Sequence, residues 1–367
     1  MTSVKIAYYC ASVSWGGLEM NQLRNAIWMK NSGESVVIFT IDKSPLHKAA
    51  IEAKIPVISI DKHRKYFDFK QAIKLKNIIT KHQISHLIIR DPKDMDLAAW
   101  TKKLTKNKLH LSYFMEMQLG IPKKDFFHNL RFNAFDIWSC PLPWLVQQVK
   151  SLTNYPAERI VQIPSGIDVQ NFENNISKSE AREKLKLPKN GVIFGLIGRF
   201  DQQKGQLLLL EAFQKLKNKN EVYILLLGEK TKNEADDYFE RIMTITGKYD
   251  LKEKVIIRPF MEETAAFYKS IDTLIMASKS ETFGMVTIEA LASGTPVIGS
   301  NSGGTPEIIN HQETGLLFES GNTKDLSEKL QLFLDMQTFD KNNIKLAAKR
   351  YDYHTILPQI KKALNLT

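Results

Sequence analysis

Two acidic residues stand in an otherwise apolar stretch of the sequence. The stretch 280–297 reads SETFGMVTIEALASGTPV, and seven residues separate Glu281 from Glu289. Gly284 and Gly294 predict the two ends of a short buried helix, with Glu281 in the loop before it and Glu289 inside it. Eight helical residues rise about 12 Å, and a carboxylate can accept two hydrogen bonds from a vicinal diol. The spacing therefore suits the two hydroxyl-bearing ends of a nucleotide-diphosphate sugar, whereas two buried structural acids are the alternative.

A glycine-rich turn follows the two acids almost at once. Residues 301–309 read NSGGTPEII and come after the apolar run PVIGS. We predict Thr305 as the N-cap and Pro306 as the first residue of a helix. The unpaired amides of a helix start attract phosphate, and Gly303 and Gly304 let an anion approach them. A plain turn between a strand and a helix would have the same residues.

Two basic residues follow a predicted strand earlier in this half of the chain. Residues 195–205 read GLIGRFDQQKG, and the strand is predicted to end at Ile197, before Gly198. Arg199 presents a planar fork of donors and Lys204 a compact charge, and together they suit a diphosphate. Two solvated side chains are the alternative. The glycine spacing is not the G-x-G-x-x-G fingerprint of dinucleotide sites.

The elements that must position these residues alternate along the chain. Short runs that are apolar throughout alternate with longer patterns of helical period, which predicts parallel sheets covered by helices on both faces. The alternation pauses in a polar piece, where we place a domain joint at 166–190. We therefore expect domain 1–172 and domain 173–349, with a helix at about 350–367 that packs back on the first domain. In such sheets ligands bind beyond the carboxyl ends of the strands.

Length and composition agree with two soluble domains. The chain has 367 residues, of which 43% are hydrophobic and 25% charged. Its two cysteines cannot form a disulfide framework, and Cys10 lies in an apolar run that predicts a core position. We see no secretory signal and no run of 18 apolar residues, so we expect a cytoplasmic protein.

Most of the excess positive charge lies in the first half. Residues 1–172 contain 24 Lys and Arg against 14 Asp and Glu, in a chain of net charge +11. Basic stretches such as KHRKYFDFK have aromatic residues nearby. A phosphorylated or lipid-linked acceptor, or an anionic membrane face, would suit this charge, and a plain solvated surface is the alternative. A nucleic-acid partner is not expected, because we find no recognisable DNA or RNA motif.

Several of these stretches together resemble a known family. GRFDQQKG, the stretch from Ser280 to Ile309, and IPSGID resemble the retaining glycosyltransferases of the GT-B fold, in particular the large group 1 type, family 4. The resemblance is strong over about 192–318 and loose in the first half. It implies an α/β fold with two Rossmann-like, doubly wound parallel-sheet domains facing across a cleft.

The resemblance also implies roles for individual residues. Arg199 and Lys204 would bind the donor diphosphate. Glu289 would hold the ribose hydroxyls, and Glu281 would hold the transferred sugar. Backbone groups of three consecutive residues would touch the sugar or phosphate: Phe283, Gly284 and Met285. The loop after VIIRPF would hold the base. Gly304 and Thr305, from the turn described above, are predicted to lie at the phosphate.

In the first domain the resemblance is less complete. Gly16 and Gly17 match the glycine loop that closes over the reaction centre. Many members carry a histidine at a strand exit near the sugar, but the corresponding stretch here is SYFMEMQLG, which offers Glu116 or Gln118. We predict that Glu116 contacts donor or acceptor. His86, His110 and His128 fit that position poorly, so we predict no catalytic histidine.

The implied reaction transfers a hexose from a UDP- or GDP-sugar to a hydroxyl of a glycan or lipid-linked acceptor, with retention, in polysaccharide or glycolipid synthesis. No cofactor and no metal is expected; Asp94 and Asp96 of the DMD sequence are interpreted as acids at a helix start. An epimerase or phosphorylase of the same fold stays an alternative. A glycoside hydrolase with Glu281 and Glu289 as acid and base is another. We expect the protein in the cytoplasm, at the inner face of the membrane.

Overall fold

The structure is a computed structural model that describes residues 4–173, 176–230, 237–261, 263–336 and 339–366. It divides into two compact units. Unit 1 comprises Met1–Ser165 and Tyr353–Thr367, and unit 2 comprises Gly166–Asp352. Residues 174–175 of the predicted joint, and residue 262 in the loop predicted to hold the base, lie outside the described residues.

Unit 1 contains a seven-stranded sheet in the order β3-β2-β1-β4-β5-β6-β7, and every neighbouring pair is parallel. Its strands are β1 (Lys5–Cys10), β2 (Ser35–Ile41), β3 (Val57–Ile60), β4 (His86–Ile89), β5 (His110–Phe114), β6 (Ile137–Cys140) and β7 (Ile160–Gln162). Its helices up to this point are α1 (Gly17–Asn31), α2 (Pro45–Glu52), α3 (Phe69–Lys81), α4 (Met95–Leu104), α5 (Phe126–Phe132) and α6 (Pro143–Leu152).

Unit 2 repeats this architecture with six parallel strands in the order β10-β9-β8-β11-β12-β13. They are β8 (Val192–Ile197), β9 (Val222–Leu227), β10 (Val255–Arg258), β11 (Thr273–Met276), β12 (Val297–Ser300) and β13 (Gly315–Phe318). The helices are α7 (Lys178–Lys184), α8 (Gln206–Gln214), α9 (Tyr238–Lys248), α10 (Ala265–Ser270), α11 (Met285–Ala292), α12 (Thr305–Ile308), α13 (Thr323–Asp335) and α14 (Lys341–Ala348).

The central strands are buried on both faces, as their unbroken apolar sequences predict. β11 and β12 are buried at every position, and β9 is buried at all positions but Tyr223. Helices therefore cover both sides of each sheet, because parallel strands need a crossover helix to return to the same edge. The predicted α/β fold with two doubly wound parallel sheets is confirmed.

The last helix returns to unit 1. α15 (Tyr353–Ala363) follows unit 2 in the chain. Its apolar residues Ile356 and Ile360, followed by Leu364, are buried against β1, β2 and α1. Tyr353 stacks on Trp28 of α1 with ring centroids 5.5 Å apart. The helix therefore completes the core on one face of the first sheet.

The division between the units differs from the predicted boundary between 172 and 173. In the structure it falls between Ser165 and Gly166. The amide of Ile167 donates to the Tyr351 carbonyl, which is also in unit 2, over 2.9 Å. This pairing joins the start of unit 2 to its end, and sequence patterns do not reveal such a contact.

The described residues also show the character of the helices and the state of the two cysteines. None of their helices is both long and apolar enough to cross a lipid bilayer. Cys10 and Cys140 are free thiols and buried, so the predicted core position of Cys10 is confirmed. Burial raises the pKa of the Cys140 thiol to about 12, which leaves it unreactive at neutral pH.

Candidate functional site

The chain reverses direction across the second sheet between β8 and β11. The strands that follow β8 in the chain, β9 and β10, extend the sheet towards one edge. The strands that follow β11, which are β12 and β13, extend it towards the other edge. Ligands of doubly wound sheets bind at such a switch point, beyond the carboxyl ends of the strands. The loops that leave β8 and β11 carry Arg199, Lys204 and Glu281, so three predicted site residues lie at this point.

Gly205 lets the two loops approach each other. Its φ is +76°, and a Cβ there would lie 2.2 Å from the Ala277 carbonyl oxygen at the exit of β11. Only glycine fits this close backbone approach. The side chain of Asp201 orders the same loop by accepting hydrogen bonds from the amides of Gln203 (2.9 Å) and Lys204 (3.2 Å).

Lys204 and Glu281 form an ion pair between the two loops. The Lys204 Nζ atom lies 2.9 Å from Glu281 Oε2, and the side chains are 28% and 22% exposed. Arg199 does not join this pair; its side chain is 64% exposed, and its Nη2 atom lies 3.4 Å from Asp201 Oδ2. The structure therefore brings one predicted cation and one predicted acid together and leaves the Arg199 guanidinium directed to solvent.

The glycine-rich turn after β12 is joined to the Glu281 loop. Glu281 and Gly303 form an isolated parallel bridge, and the Gly304 amide donates to the Glu281 carbonyl over 2.8 Å. Gly303 has a φ of +61°, and a Cβ there would lie 2.3 Å from the Glu281 oxygen. The Gly304 amide is thus engaged within the protein, and the predicted role of Gly304 at a phosphate stays a prediction.

The predicted cap at the following helix was wrong by one residue. Gly304 is the N-cap of α12, and Thr305 is its first residue. The Thr305 hydroxyl makes no capping bond; it is buried and, among the described residues, has no hydrogen-bond partner. α12 is only four residues long, so its macrodipole is weak. The contact of Thr305 with a phosphate stays a prediction, and its unsatisfied hydroxyl could make that contact.

The helix that carries Glu289 has the predicted extent. Gly284 caps α11 with a φ of +93°, and Gly294 follows the helix with a φ of +75°. Glu289 is half-buried in α11, and its Oε2 atom accepts a hydrogen bond of 2.8 Å from the Tyr268 hydroxyl. Burial raises the pKa of Tyr268 well above its ordinary value, so the phenol stays a donor at any physiological pH.

Three consecutive residues join Glu281 to this helix. Phe283 is buried and packs edge-on against Tyr351, with centroids 5.7 Å apart. A Cβ on Gly284 would lie 3.5 Å from the Glu281 side chain and 3.2 Å from the Thr287 hydroxyl. Met285 is the first residue of α11 and half-buried. These residues therefore connect the Glu281 loop to the start of α11.

Unit 1 carries the other predicted residues at the carboxyl ends of its own strands. Gly16 is the N-cap of α1, and its amide donates to Glu19 Oε2 over 2.9 Å. Gly17 is exposed, and a Cβ there would meet no atom within 4 Å. Their role at a reaction centre stays a prediction, because geometry alone does not require glycine at 17.

Glu116 lies after β5 in a buried ion pair. One carboxylate oxygen contacts the Arg90 guanidinium, and the other accepts from Asn21 Nδ2 over 3.1 Å. Burial raises the pKa of Glu116, although Arg90 and Asn21 oppose the increase. A substrate that bound Glu116 would therefore have to compete with Arg90 and Asn21 for its carboxylate.

The sequence analysis missed Arg90. The arginine comes directly after the apolar run LII, and this position was a signal that it lies at a strand exit.

The histidines near the first sheet are placed as the sequence analysis expected. His86 and His110 begin β4 and β5, at the amino ends of the strands, and their rings lie 4.8 Å apart. Burial lowers the pKa of His110 to about 4. Both are therefore neutral core-edge residues, at the end of the sheet where ligands of this fold do not bind.

The acids of the DMD sequence lie at a helix start, as predicted. Asp94 is the N-cap of α4 and Asp96 lies in its first turn, and both side chains are buried. Asp94 Oδ1 lies 2.8 Å from His63 Nε2, and Asp96 Oδ2 accepts from the Phe67 amide over 2.7 Å. They anchor the 61–68 loop. Among the described residues, no group of three or more His, Cys, Asp and Glu is placed to hold a metal ion.

The family match covers the chain segment that contains the candidate site in unit 2. Residues 177–350 match the family model of glycosyl transferases group 1. The uncharacterized glycosyltransferase MJ1607 of Methanocaldococcus jannaschii is 30% identical over 177 residues, which are 47% of this chain and 44% of the relative. The chain spans less than half the length of the curated relatives it matches.

Solved structures share the fold of the whole chain. A glycosyltransferase from Rickettsia africae has a TM-score of 0.87 at 21% identity, covering 100% of both chains. Alr3699/HepE of Anabaena in complex with UDP has a TM-score of 0.87 at 19% identity over 99% of this chain and 100% of its own, and it is also solved with UDP-glucose. Residues 177–350 thus match the group 1 glycosyl transferase family, and solved glycosyltransferases share the fold of the chain.

Proposed function

We propose that the protein is a retaining glycosyltransferase that moves a sugar from a nucleotide-diphosphate sugar to a hydroxyl of a glycan or lipid-linked acceptor. The observation that carries the proposal is the Lys204–Glu281 pair at the switch point of the second sheet, joined to the Gly303 turn. This pair lies inside the segment that matches the group 1 family. It offers a cation for a diphosphate beside a carboxylate for sugar hydroxyls.

The positive charges would act on the leaving group. Negative charge grows on the diphosphate as the bond to the sugar breaks, and Arg199 and Lys204 would stabilise it. Preorganised donors of this kind contribute on the order of 3 kcal/mol each to transition-state stabilisation. Because α12 is short, we assign this role to the two side chains rather than to a helix dipole.

The carboxylates would position the donor. Glu281 Oε2 orients Lys204, while Oε1 can accept from a sugar hydroxyl. Glu289, held by Tyr268, would accept from the ribose diol. The buried hydroxyls of Thr287 and Thr305, which have no partner among the described residues, are further groups that a bound donor could satisfy.

Retention needs no protein nucleophile in this proposal. The bond from the anomeric carbon to the diphosphate oxygen breaks, and the bond to the acceptor oxygen forms on the same face. The acceptor proton passes to the departing diphosphate oxygen. The protein supplies charge and orientation, and we propose that it needs neither a metal nor a cofactor.

The nucleotide of the sugar donor can be proposed more specifically. Alr3699/HepE was solved with UDP and with UDP-glucose, which supports a UDP-sugar before a GDP-sugar for this chain. We further propose that the acceptor belongs to polysaccharide or glycolipid synthesis at the inner face of the membrane. The excess of basic residues in the first half supports an anionic surface there.

The alternatives are less well supported. A glycoside hydrolase would need Glu281 and Glu289 to flank one bond, but Lys204 engages one acid and Tyr268 the other. An epimerase or phosphorylase of this fold would share the donor site. It would convert the donor without an acceptor hydroxyl, or would need free phosphate, and product analysis separates these outcomes.

A donor screen tests the proposal. The full chain is incubated with UDP- and GDP-sugars, and release of nucleotide diphosphate is measured with and without EDTA. We expect release from one donor, unaffected by EDTA, and a fall in kcat/KM of about 100- to 1,000-fold in Glu281→Gln. The control Lys215→Ala changes an exposed lysine at the end of α8 and should keep full activity. Absence of any thermal shift with UDP or GDP would contradict the proposal.

A further inference from the structure

Unit 1 exposes a cluster of large aromatic side chains. Phe126 and Phe127 at the start of α5 are 71% and 64% exposed, and Tyr66, Phe67 and Phe69 before and at the start of α3 are 45%, 54% and 47% exposed. We name these five residues the aromatic face. Single exposed apolar residues are common, but a contiguous patch marks an interaction surface.

The five residues form one surface rather than scattered contacts. The rings of Phe67 and Phe127 are 6.0 Å apart, and those of Phe126 and Phe127 are 5.7 Å apart. Phe69 packs on Trp100 of α4 at 4.8 Å. A cavity of about 290 Å³ lies beside Tyr66, Phe67 and Phe127. Its lining includes the apolar side chains of Trp100 and Leu130 and the acids Asp96 and Asp125. The face therefore has both protruding rings and a recess.

Local backbone structure holds the Phe67 and Phe127 side chains in exposed positions. Phe67 has a φ of +54°, which is a strained conformation for a bulky residue. Its amide donates to the buried Asp96 carboxylate over 2.7 Å, so a hydrogen bond fixes the strained loop. Asp125 caps α5 by accepting from the Phe127 and His128 amides. A hydrogen bond to a buried acid thus holds the loop that presents the Phe67 ring to solvent.

Three cations lie at the aromatic face, although Asp96 and Asp125 line its cavity. The segment 60–131, which contains the face, has 16 Lys and Arg against 7 Asp and Glu. Lys65 and Arg131 lie over the Tyr66 ring at 5.1 and 5.5 Å, and Lys103 lies over Trp100 at 4.6 Å. None of these three cations pairs with a carboxylate of the residues that the structure describes. A partner with negative charge would complement them.

Exposed aromatic rings beside basic side chains favour some classes of partner over others. Interfaces with other proteins are depleted in lysine, whereas surfaces that enter a membrane interface combine aromatic rings with Lys and Arg. We propose that the aromatic face docks unit 1 on an anionic lipid bilayer. Phe126, Phe127 and Phe67 enter the boundary between headgroups and acyl chains, and Lys65, Lys103 and Arg131 contact lipid phosphates. The inference deepens the membrane part of the proposed function, and its test uses no sugar transfer.

Vesicle binding tests the docking face. The full chain is sedimented with phosphatidylcholine vesicles that contain about 30% phosphatidylglycerol, which makes their surface negative, and with vesicles of pure phosphatidylcholine. We expect binding to the anionic vesicles that weakens with salt. In Phe126→Ala/Phe127→Ala the partition coefficient should fall at least about tenfold. Lys65→Gln/Lys103→Gln should also weaken binding and flatten its salt dependence.

Two controls separate docking from folding. Leu346→Ala removes an apolar side chain that is 62% exposed in unit 2, and its binding should equal that of the parent. Phe67→Asn removes a ring of the face but suits the positive φ, so it should reduce binding while leaving the thermal midpoint equal or higher. Equal binding of all variants, equal binding to neutral vesicles, or an aromatic-dependent dimer in sedimentation velocity would each overturn the proposal. If nucleotide release succeeds while vesicle binding fails, only the docking inference is lost.

Discussion

Tyr268 shows how a residue outside the predicted set shapes the site. It is fully buried in α10 and donates to Glu289, which is the proposed ribose ligand. The sequence AAFYKS gave no sign of this role, because a tyrosine in an apolar helix is expected to pack as core. Polar contacts between side chains of different helices depend on packing geometry, which residue types alone do not determine.

Removal of the phenol should affect both stability and donor binding. Tyr268→Phe leaves the Glu289 carboxylate without this donor, and we expect a loss of about 1–3 kcal/mol in the free energy of unfolding. If Tyr268 positions Glu289, KM for the donor should rise more than kcat falls. Tyr238→Phe is the matched control, because Tyr238 is a buried tyrosine whose hydroxyl accepts from the Leu207 amide over 3.2 Å. It should lower stability without changing KM; equal KM values in both variants would exclude the positioning role.

The buried pair of His63 and Asp94 should make stability depend on pH. Burial raises the pKa of Asp94 to about 6, above its value in an unfolded chain. Burial acts to lower the pKa of His63, but hydrogen bonds to Asp94 and the Arg64 carbonyl outweigh it and raise that pKa. Both groups therefore bind protons more tightly when folded, so their stabilisation is present at low pH and is lost as the pH rises through about 6 and above.

Urea unfolding at several pH values measures this effect. We expect the difference in unfolding free energy between the parent and Asp94→Asn to fall by at least about 1 kcal/mol from pH 5 to pH 8. The comparison with the variant cancels groups such as His110, whose pKa is lowered by burial and whose contribution has the opposite sign. A difference that does not change with pH would contradict the assignment.

At the scale of elements, the second sheet shows what sequence patterns can and cannot predict. Strands β8 to β13 are short apolar runs, and α11 lies between the two glycines that were predicted to bound it. Both features depend on local chemistry, so they could be predicted. The N-cap of α12 was misplaced because Thr305 is turned inward and buried, and the bridge from Glu281 to Gly303 is tertiary. Neither leaves a local pattern.

The bridge between these two loops should depend on glycine. In Gly303→Ala the new methyl group would meet the Glu281 carbonyl at 2.3 Å, at a φ of +61°. We expect a loss of more than about 2 kcal/mol in unfolding free energy and a higher donor KM, because the Glu281 loop must move. In Gly33→Ala the φ is +93° but no atom lies within 4 Å. This control should cost about 1 kcal/mol and keep KM unchanged, and equal losses in the two variants would refute a role for the close contact.

At the scale of the whole molecule, two separate stretches of chain build unit 1. The sequence analysis expected a terminal helix to return to the first domain, because its apolar residues repeat with helical period. What it could not give was the exact junction, since the Ile167–Tyr351 backbone contact joins residues far apart in the chain. Fold class follows from repeated local patterns, whereas boundaries follow from single long-range contacts.

Removal of residues 353–367 should weaken unit 1 selectively. The deletion removes Ile356, Ile360 and Leu364, which are 1%, 2% and 0% exposed. Each buried side chain contributes about 1.5–3 kcal/mol, so unit 1 should lose much of its stability. Hydrogen exchange should accelerate in β1 to β7 and stay unchanged in β8 to β13. The single change Lys361→Ala is a control that keeps the apolar residues, and uniform acceleration in both sheets would contradict the expectation.

The return of α15 also imposes an order on biosynthesis. A ribosome releases the strands of unit 1 first, then every residue of unit 2, and only afterwards the helix that covers Ile6, Tyr8 and Ile38. Unit 2 can thus acquire its native structure on the nascent chain while the earlier-made sheet still has one apolar face uncovered. Chaperones that recognise nascent apolar surface would be expected to engage that sheet for the whole time it takes to translate unit 2.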